Sequence, residues 1–598
     1  MTQREFDTDV LVVGTGPMGA TTALALAKYG VRVHAISRWN WLANTPRAHI
    51  TNQRTVEVLR SLGIEEELKQ QATPWDKMGD TLFTTSFAGP EIARLQTWGT
   101  GDLRFGDYIE ASPCPMLDVP QPVMEPILVN AAARSGAQMS FNTEYLSHEQ
   151  DAEGVTVRLR NHISGQDYEQ RVRFLVGADG ARSQVAADIG LPFEGVLARA
   201  GTVYVQFRAD LSRYVAHRPS ILHWIVNPEA GFGEIGMGLL RAVKPWTEWI
   251  AGWGFDMSKG DPDTSRENAL EKIRSLVGDP GLECEILSIS PWYVNQQYAL
   301  EYSRGRVFCG GDAVHRHPPS SGLGLNTSVQ DGFNLAWKLA YVVKGYASLD
   351  HLSSYSDERA PVGRQIVERA NQSRLDYAPM RTAFYGKPSG FSGKLEHFLE
   401  GFFAADEQGV EARRKMAEAL ELKNYEFNAE GTEMNQRYTS EGIVGETEPE
   451  NWPRDRQLYH QPSSRPGAKI PHAWLVGPDG KRISTLDVVG DGCFTLVTGI
   501  AGDAWEQAVA ALDLPFLRCV RVGVGRYSDP YFYWARLREI EEGGALLVRP
   551  DGVIAWRRKA SLANRDEATA QLAEVIDAVL GRSKSRTTDT ASARGAAA

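Results

Sequence analysis

Residues 9–37 read DVLVVGTGPMGATTALALAKYGVRVHAIS, and this segment is the most informative about the architecture of the chain. The short apolar run Asp9–Val13 predicts a strand, and a glycine-rich turn follows it. Small and apolar residues at helical spacing predict a helix over Met18–Tyr29, and Val31–Ser37 predicts the next strand. A right-handed crossover makes two such strands parallel neighbours. The segment therefore predicts the first βαβ unit of a Rossmann-like domain.

The turn has glycines at positions 14, 16 and 19, the GxGxxG spacing of a dinucleotide-binding loop. Gly14, Gly16 and Gly19 would let the backbone approach a pyrophosphate, toward which the helix directs its free N–H groups. NAD-binding domains usually carry a ribose-binding acid at the end of the second strand. Here that strand ends in Ser37 and Arg38, which weakens the NAD interpretation and leaves FAD compatible. Arg38 either meets the adenosine part of the cofactor or is an exposed residue at a strand end.

Size and composition bound the function class. A length of 598 residues predicts about two to four structural units. The net charge of -11 argues against a nucleic-acid surface, and no apolar run approaches the roughly 18 residues of a membrane span. The N-terminus mixes charges of both signs and lacks the order of a secretory signal, so we expect a cytoplasmic protein. Five dispersed cysteines without a CxxC pair indicate neither a zinc site nor a disulfide framework.

Two further glycine-aspartate segments follow the first turn at wide separation. The first is Ala178-Asp179-Gly180, at the end of a strand that must return to the same sheet if it touches the same ligand. The second is Gly310-Gly311-Asp312, which precedes a loop rich in proline and glycine. In this order the segments resemble the DG and GD motifs of the single-component flavoprotein aromatic hydroxylases. PRAHITNQRT (46–55), GDAVHRHPP (311–319) and LNTSVQDGFNLAWKLA (325–340) resemble the phenol-hydroxylase branch, and the similarity covers nearly the whole chain.

The resemblance and the motifs together assign FAD as the cofactor. Asp312 follows an apolar strand, where its carboxylate can accept hydrogen bonds from a ribityl chain. The 322–326 loop precedes a helix predicted to begin near Ser328, whose dipole would stabilise the anionic reduced flavin ring. The predicted FAD-binding residues are Gly14, Gly16, Gly19, Arg38, Arg47, Gln121, Asp179, Asp312, Gly322, Gly324, Leu325 and Asn326.

Three residues are candidates for catalysis. His49 titrates near neutrality and can take a phenolic proton, and the resemblance implies a histidine at this place, although a structural role is an equal alternative. The resemblance places Arg241 near the substrate and Pro319 over the flavin ring, where its carbonyl would orient a substrate hydroxyl or the peroxide. His315 and His317 have no cysteine or carboxylate at ligand spacing, so we predict no metal site.

The resemblance implies an FAD-dependent NAD(P)H:phenol monooxygenase. Hydride transfer to FAD, formation of a C4a-hydroperoxide with O₂ and oxygen transfer ortho to the hydroxyl would convert phenol or a chlorophenol, such as 2,4-dichlorophenol, into a catechol. The chain has one GxGxxG turn, so NADPH or NADH would visit transiently. Alternatives are a hydroxylase of 2-hydroxybiphenyl, resorcinol or a polyketide-like phenol, or a non-catalytic flavin-binding protein. A halogenase is disfavoured because Trp39-Asn40-Trp41 lacks the rest of the WxWxIP signature.

The predicted fold class is α/β, with a Rossmann-like FAD-binding domain, an antiparallel-sheet substrate domain and a thioredoxin-like C-terminal domain. We also expect a homo-oligomer, a dimer or a tetramer. The predicted boundaries are 1–85, 116–192 and 299–380 for the FAD-binding domain, 86–115 and 193–298 for the substrate domain, 381–460 for a helical connector, 461–582 for the thioredoxin-like domain lacking CxxC, and 583–598 for a disordered tail.

Overall fold

The structure is a computed structural model that describes residues 6–226, 235–385, 395–523 and 525–582. The predicted tail, 583–598, lies outside these ranges. In chain order the strands are β1 Thr8–Val13, β2 Val33–Ile36, β3 Ile50–Thr51, β4 Thr81–Thr84, β5 Glu91–Leu95, β6 Leu117–Asp118, β7 Gln138–Ser140, β8 Thr143–Gln150, β9 Val155–Asn161, β10 Asp167–Gly177, β11 Phe193–Val196, β12 Gly201–Arg208, β13 Leu222–Ile225, β14 Gly238–Lys244, β15 Glu248–Phe255, β16 Glu285–Tyr293, β17 Gln296–Ala299, β18 Ser303–Arg304, β19 Val307–Cys309, β20 His315–Arg316, β21 Trp474–Val476, β22 Arg482–Ser484, β23 Phe494–Thr498, β24 Leu517–Arg521, β25 Ala545–Val548 and β26 Ile554–Arg558.

The α-helices of the same ranges are α1 Pro17–Lys28, α2 Gln53–Ser61, α3 Glu65–Gln71, α4 Trp75–Met78, α5 Phe105–Ala111, α6 Gln121–Arg134, α7 Gln184–Asp188, α8 Ser212–Val215, α9 Arg266–Val277, α10 Leu323–Val343, α11 Ser353–Leu375, α12 Ala378–Tyr385, α13 Leu395–Phe402, α14 Glu407–Phe427, α15 Glu430–Met434, α16 Asp503–Leu512, α17 Tyr533–Leu537 and α18 Arg565–Val579. None of these helices is both long and apolar enough to cross a membrane.

The first sheet brings distant parts of the chain together. Its strand order is β18-β19-β10-β1-β2-β7, and β1 pairs in parallel with β2 on one side and with β10 on the other. The predicted parallel βαβ unit and the predicted return of the strand before Ala178 are both confirmed. Because β19 is also parallel to β10, the loops that follow β1, β10 and β19 leave from the same edge of the sheet.

A seven-stranded sheet has the order β16-β12-β15-β14-β13-β4-β5. Within the predicted substrate domain, β12 pairs antiparallel with β15 and β13 pairs antiparallel with β14, and 227–234 lie outside the described residues. Strand β4 belongs to this sheet although it precedes the predicted boundary at residue 85. Phe83 and Trp224 share a core with Phe402 and Met416, so the segment predicted as a connector contributes helices that cover the sheet.

The C-terminal sheet has the order β24-β23-β25-β26. Strand β23, helix α16 and the parallel strand β24 form a βαβ unit, and antiparallel β25 and β26 precede α18. Helix α10 packs against this sheet, since Trp337 and Tyr341 share one core with Phe494 and Phe516. The helix that follows the GD loop therefore also contacts the C-terminal domain.

A buried group of charges joins these two regions, and we call Lys338, Glu358, Arg549 and Asp551 the interdomain ion cluster. Arg549 donates to both oxygens of Glu358 at 2.7 and 2.9 Å, and Lys338 donates to the same carboxylate at 2.8 Å. Arg549 also pairs with Asp551 at 2.5 Å. Burial alone would raise the pKa of Glu358, but the two cations hold it well below its usual range.

Candidate active site

Three glycine-containing loops meet at the edge of the first sheet. The N–H of Ala178 donates to Val13 O at 2.8 Å, and the N–H of Gly310 donates to Gly177 O at 3.1 Å. Gly14 has a φ of +109°, and a Cβ atom there would lie 2.1 Å from the carbonyl oxygen of Ala178. Only glycine fits this position, so the first turn and the DG motif are packed directly on each other.

Helices α1 and α10 both begin in this region without a side-chain cap. The N-cap residue is Gly16 for α1 and Gly322 for α10, and neither helix has an acid in its first turn. Free N–H groups and the positive end of the helix dipole make such termini suited to anionic groups. The prediction that the second helix begins near Ser328 was wrong, because it begins at Leu323. Leu325 and Asn326 are therefore part of its first turn.

Three of the predicted FAD-binding residues, Gly16, Arg47 and Gln121, lie around a carboxylate that the sequence did not single out. Gln121 donates to Glu125 Oε1 at 2.6 Å, and the N–H of Ala43 donates to Glu125 Oε2 at 2.8 Å. The same carboxylate lies 3.8 Å from where a Cβ atom of Gly16 would be. Burial raises the pKa of Glu125, while the charge of Arg47 opposes the shift. Gly16, Arg47 and Gln121 therefore all lie near the Glu125 carboxylate.

The remaining polar residues of the predicted FAD set have different surroundings. Asp179 accepts hydrogen bonds from Ser183 Oγ at 2.5 Å and from the N–H of Gln184 at 2.8 Å, so its carboxylate stabilises the start of α7. Asp312 is exposed, and its carboxylate has no hydrogen-bond partner in the described part of the chain. Arg38 is exposed beyond the end of β2, with its guanidinium 4.7 Å from the Trp39 ring centre.

Asn326 joins the start of α10 to the strand that follows His49. Its Oδ1 accepts from the N–H of Asn52 at 2.9 Å, and its Nδ2 donates to Ile50 O at 2.9 Å and to Gly322 O at 2.6 Å. These bonds occupy the side-chain amide with protein groups. The Asn326 side chain therefore holds the segment after His49 against the loop at Gly322.

His49 forms a dyad with Asp118, which no sequence motif reveals. Strands β3 and β6 pair through Ile50 and Asp118, and this pairing brings His49 Nδ1 within 2.6 Å of Asp118 Oδ1. The hydroxyl of Thr73 donates to Asp118 Oδ2 at 2.5 Å. Asp118 was not recognisable because it stands in a two-residue strand among prolines, where nothing marks it. Only the strand pairing identifies it.

The dyad uses one nitrogen of His49, and the other has no hydrogen-bond partner among the described residues. Burial lowers the pKa of His49 and nearby Arg241 lowers it further, against the opposing effect of Asp118. A neutral imidazole whose Nδ1–H is donated to Asp118 presents a lone pair at Nε2. Since 16% of the His49 side chain is exposed, this atom can meet a ligand. This geometry would allow His49 to accept a proton at Nε2.

Arg241 is a buried cation beside the dyad. Its Nη2 donates to Pro46 O, whereas its Nη1 has no hydrogen-bond partner among the residues that the structure describes. Burial lowers the pKa of Arg241 to about 10, so it remains charged at neutral pH. A buried cation with a free donor favours an anionic oxygen as its ligand.

Aromatic residues line a small cavity on the neighbouring strands. The cavity has a volume of about 70 Å³, and its walls include Tyr204, Trp224 and Leu239. Gly252 lies under the Tyr204 ring, where a Cβ atom would be 2.5 Å from the ring. Pairing of Trp224 with Leu239, two residues before Arg241, places these residues on one face of the sheet. The aromatic cavity and the buried cation Arg241 on the same face of the sheet suit a ligand that has an aromatic ring and an anionic oxygen.

The loop before α10 differs in detail from its predicted role. The carbonyl of Pro319 accepts from the N–H of Gly322 at 3.0 Å, so one of its lone pairs is already used within the loop. A ring nitrogen of His315 lies 2.9 Å from Asp331, and Arg359 donates to the same carboxylate at 2.7 Å. In the part of the chain that the structure describes, no group of three or more His, Cys, Asp or Glu residues could hold a metal ion.

Comparison with known families agrees with this geometry. The family described as "FAD binding domain" matches residues 7–370, and the family described as "Aromatic-ring hydroxylase, C-terminal" matches 463–583. The chain belongs to the FAD-dependent aromatic-ring hydroxylases. It is a flavin-dependent monooxygenase, and FAD is its cofactor.

Individual relatives narrow the comparison. The chain is 48% identical to the 2,4-dichlorophenol 6-monooxygenase of Cupriavidus pinatubonensis over 588 residues, 97% of each chain. It is 43% identical to the phenol 2-monooxygenase of Pseudomonas sp. (strain EST1001), over 94% of this chain and 91% of the relative. Among solved structures, the flavin-dependent monooxygenase PieE in complex with FAD and substrate superposes with a TM-score of 0.91 at 41% identity, over 96% and 99% of the two chains.

Proposed function

We propose that this protein hydroxylates a simple phenol, or a chlorophenol such as 2,4-dichlorophenol, ortho to its hydroxyl and forms a catechol with NAD(P)H and O₂. The observation that carries the proposal is the His49–Asp118 dyad beside the free Nη1 of Arg241, next to the loop that precedes α10. Relatives named for 2,4-dichlorophenol and phenol support the substrate class.

The side chains around the substrate have separate roles. His49 Nε2 accepts the phenolic proton, and Asp118 holds the imidazole and stabilises the cation that forms. Arg241 donates to the phenolate oxygen and so stabilises the electron-rich form of the ring, and the aromatic face at Tyr204 and Trp224 orients the ring and excludes water. FAD, when bound, supplies the reduction of O₂ and the transfer of one oxygen atom to the ring.

The uncapped starts of α1 and α10 would hold the two anionic parts of the cofactor. The pyrophosphate suits the turn at Gly14, Gly16 and Gly19, with Arg47 and Gln121 beside it. The flavin ring suits the first turn of α10, from Gly322 to Asn326, because its free N–H groups stabilise negative charge there. Asp312 would bind the ribityl chain, Arg38 the adenosine, and Pro319 would lie over the ring.

The C-terminal unit at 461–582 is proposed to be a thioredoxin-like domain. The β23-α16-β24 unit followed by β25, β26 and α18 has the order of that fold, and Cys493 and Cys519 are free thiols outside any CxxC pair. A structural role suits it better than a redox role. We also propose a homo-oligomeric assembly, which sedimentation of the purified holoenzyme would test.

A substrate panel tests the function. The purified FAD-loaded enzyme is assayed for phenol-dependent NADPH and NADH oxidation and for the product, with phenol, 2,4-dichlorophenol, 2-hydroxybiphenyl, resorcinol and a polycyclic phenol. We expect a catechol from phenol or a chlorophenol, with one coenzyme consumed per product. Release of peroxide without a catechol from every member of the panel would refute the proposal, and no stimulation at all would favour a non-catalytic flavoprotein.

Replacing His49 tests the assigned base. His49→Ala should lower kcat by about 10²-fold or more, because general-base catalysis contributes that amount. Bound FAD, measured by absorbance, should stay at the wild-type level, and NADPH should still reduce it. Unchanged turnover would assign His49 a structural role.

A further inference from the structure

A second, much larger cavity lies outside the His49 region. Its volume is about 680 Å³, within the usual range for small-molecule sites. We call it the antechamber and define it by Thr73, Trp75, Phe105, Ile109, Trp474 and Arg482. The first four belong to the N-terminal part of the chain and the last two to the C-terminal domain. The cavity therefore lies between the two.

The antechamber presents large apolar side chains to solvent. Trp75 is 40% exposed, Phe105 is 44% exposed and Ile109 is 51% exposed, and the Trp75 and Phe105 ring centres are 6.4 Å apart. Clustered exposed apolar groups around a concavity indicate a binding surface. A flat aromatic ligand would bury these side chains without a change in the fold.

Polar groups stand at two places in the wall. At the mouth, the Arg482 guanidinium lies 3.7 Å over the Trp474 ring and forms no ion pair with any residue that the structure describes. Inside, the buried amide of Gln53 donates to Tyr108 O and Cys114 O at 2.7 and 2.9 Å, while its carbonyl oxygen has no partner among the described residues. The hydroxyl of a phenol could donate to the Gln53 carbonyl oxygen, whereas a phenolate oxygen could accept from Arg482.

The wall toward His49 is one side chain thick. Thr73 lines the antechamber, and its hydroxyl bonds to the Asp118 carboxylate that holds His49. Leu117 also lines the antechamber, whereas its neighbour Asp118 in β6 points to His49, as alternation along a strand requires. A ligand in the antechamber is therefore separated from the dyad by this single layer.

We propose that the antechamber is a second binding site for the phenol and that it loads the flavin site with substrate. The inference rests on the proposed function for the identity of its ligand. The aromatic wall would bind the ring, and Arg482 would attract the phenolate form.

Binding stoichiometry tests the site without turnover. Equilibrium dialysis of the FAD holoenzyme with 2,4-dichlorophenol, in the absence of NADPH, should give two bound phenols per chain. One should perturb the flavin absorbance, and the other should change only tryptophan fluorescence. A single phenol per chain, or displacement of the second phenol by NADP⁺ alone, would overturn the proposal.

Two variants test the loading role. Ile109→Trp fills the mouth, and Arg482→Glu reverses its charge; each should remove or weaken the second phenol and lower kcat/KM by about fivefold, while kcat stays within about twofold. Ile163→Trp is the matched control, because Ile163 is 80% exposed and does not line the antechamber. Unchanged kcat/KM in both variants would overturn loading. If no phenol is hydroxylated, the proposed function fails, while dialysis still decides whether the antechamber binds phenol.

Discussion

The interdomain ion cluster and the His49 dyad are both buried polar groups, but they differ in whether their hydrogen bonds are complete. In the cluster, Glu358 is paired with Lys338 and Arg549, and Arg549 is also paired with Asp551. At the dyad, one nitrogen of His49 and one of Arg241 have no partner among the described residues. A complete group fixes structure, whereas an incomplete one is a place for a ligand.

The largest effect is expected from breaking the complete group. Glu358→Ala leaves Lys338 and Arg549 buried without their shared anion, and should lower the free energy of unfolding by about 3–5 kcal/mol. Chemical denaturation of the holoenzyme measures it. Glu368→Ala, on the same helix, is the control: its pair with Arg364 is exposed and should contribute about 0.5 kcal/mol or less. Equal losses in the two variants would contradict the comparison.

Breaking the orienting half of the dyad should affect rate and not stability. Asp118→Asn can donate to His49 Nδ1 and so place the proton on Nε2, which removes the base, and kcat should fall by about 10²- to 10³-fold. FAD content and the denaturation midpoint should change little. Because Asp118 raises the pKa of His49, the acid limb of the residual rate should move to lower pH. An acid limb at the same pH as in the wild type would argue against an effect of Asp118 on the pKa of His49.

Removing the free cation should affect substrate binding most. Arg241→Met keeps much of the side-chain volume but cannot donate to a phenolate, so kcat/KM should fall by about tenfold or more. Steady-state kinetics with 2,4-dichlorophenol measures it. Arg213→Met, an exposed position, is the control and should leave the kinetics unchanged. An equal loss of kcat/KM in both variants would contradict the proposed role of Arg241 in substrate binding.

A third buried group, the pair Glu430 and Glu433, also has carboxylate oxygens without a hydrogen-bond partner in the described residues. Burial raises the pKa of Glu430 to about 7, and burial together with the charge of Glu430 raises that of Glu433 to about 8. The folded chain therefore holds more protons than the unfolded chain between about pH 4.5 and 8, and its stability falls as pH rises through this window. Glu433→Gln should flatten that fall, because the variant lacks the carboxyl group with the most strongly raised pKa of the pair. Thermal unfolding at pH 5 and pH 9 measures it, and parallel curves for the two proteins would contradict the assignment.

Much of the fold could be predicted from the sequence because local patterns mark it. The turn at Gly14 and the strand before Ala178 were recognisable from apolar runs and glycines, and the resemblance supplied the family. Asp118 and Glu125 were not recognisable, because each acquires its role through a distant partner, His49 or the turn at Gly16. The bonds of Asp179 to the start of α7 and the start of α10 at Leu323 likewise depend on local geometry that a motif does not record.

Helix α10 cannot be fully covered early in synthesis on the ribosome. Its first turn lies within the FAD binding domain, but Trp337 packs against Phe494, and Glu358, which pairs with Lys338 of the helix, also pairs with Arg549. Phe494 and Arg549 are translated long after the helix itself. A nascent chain that has completed the first sheet still exposes an indole and a carboxylate that lacks one of its cations. The final part of the polypeptide therefore completes the folding of a helix begun far upstream.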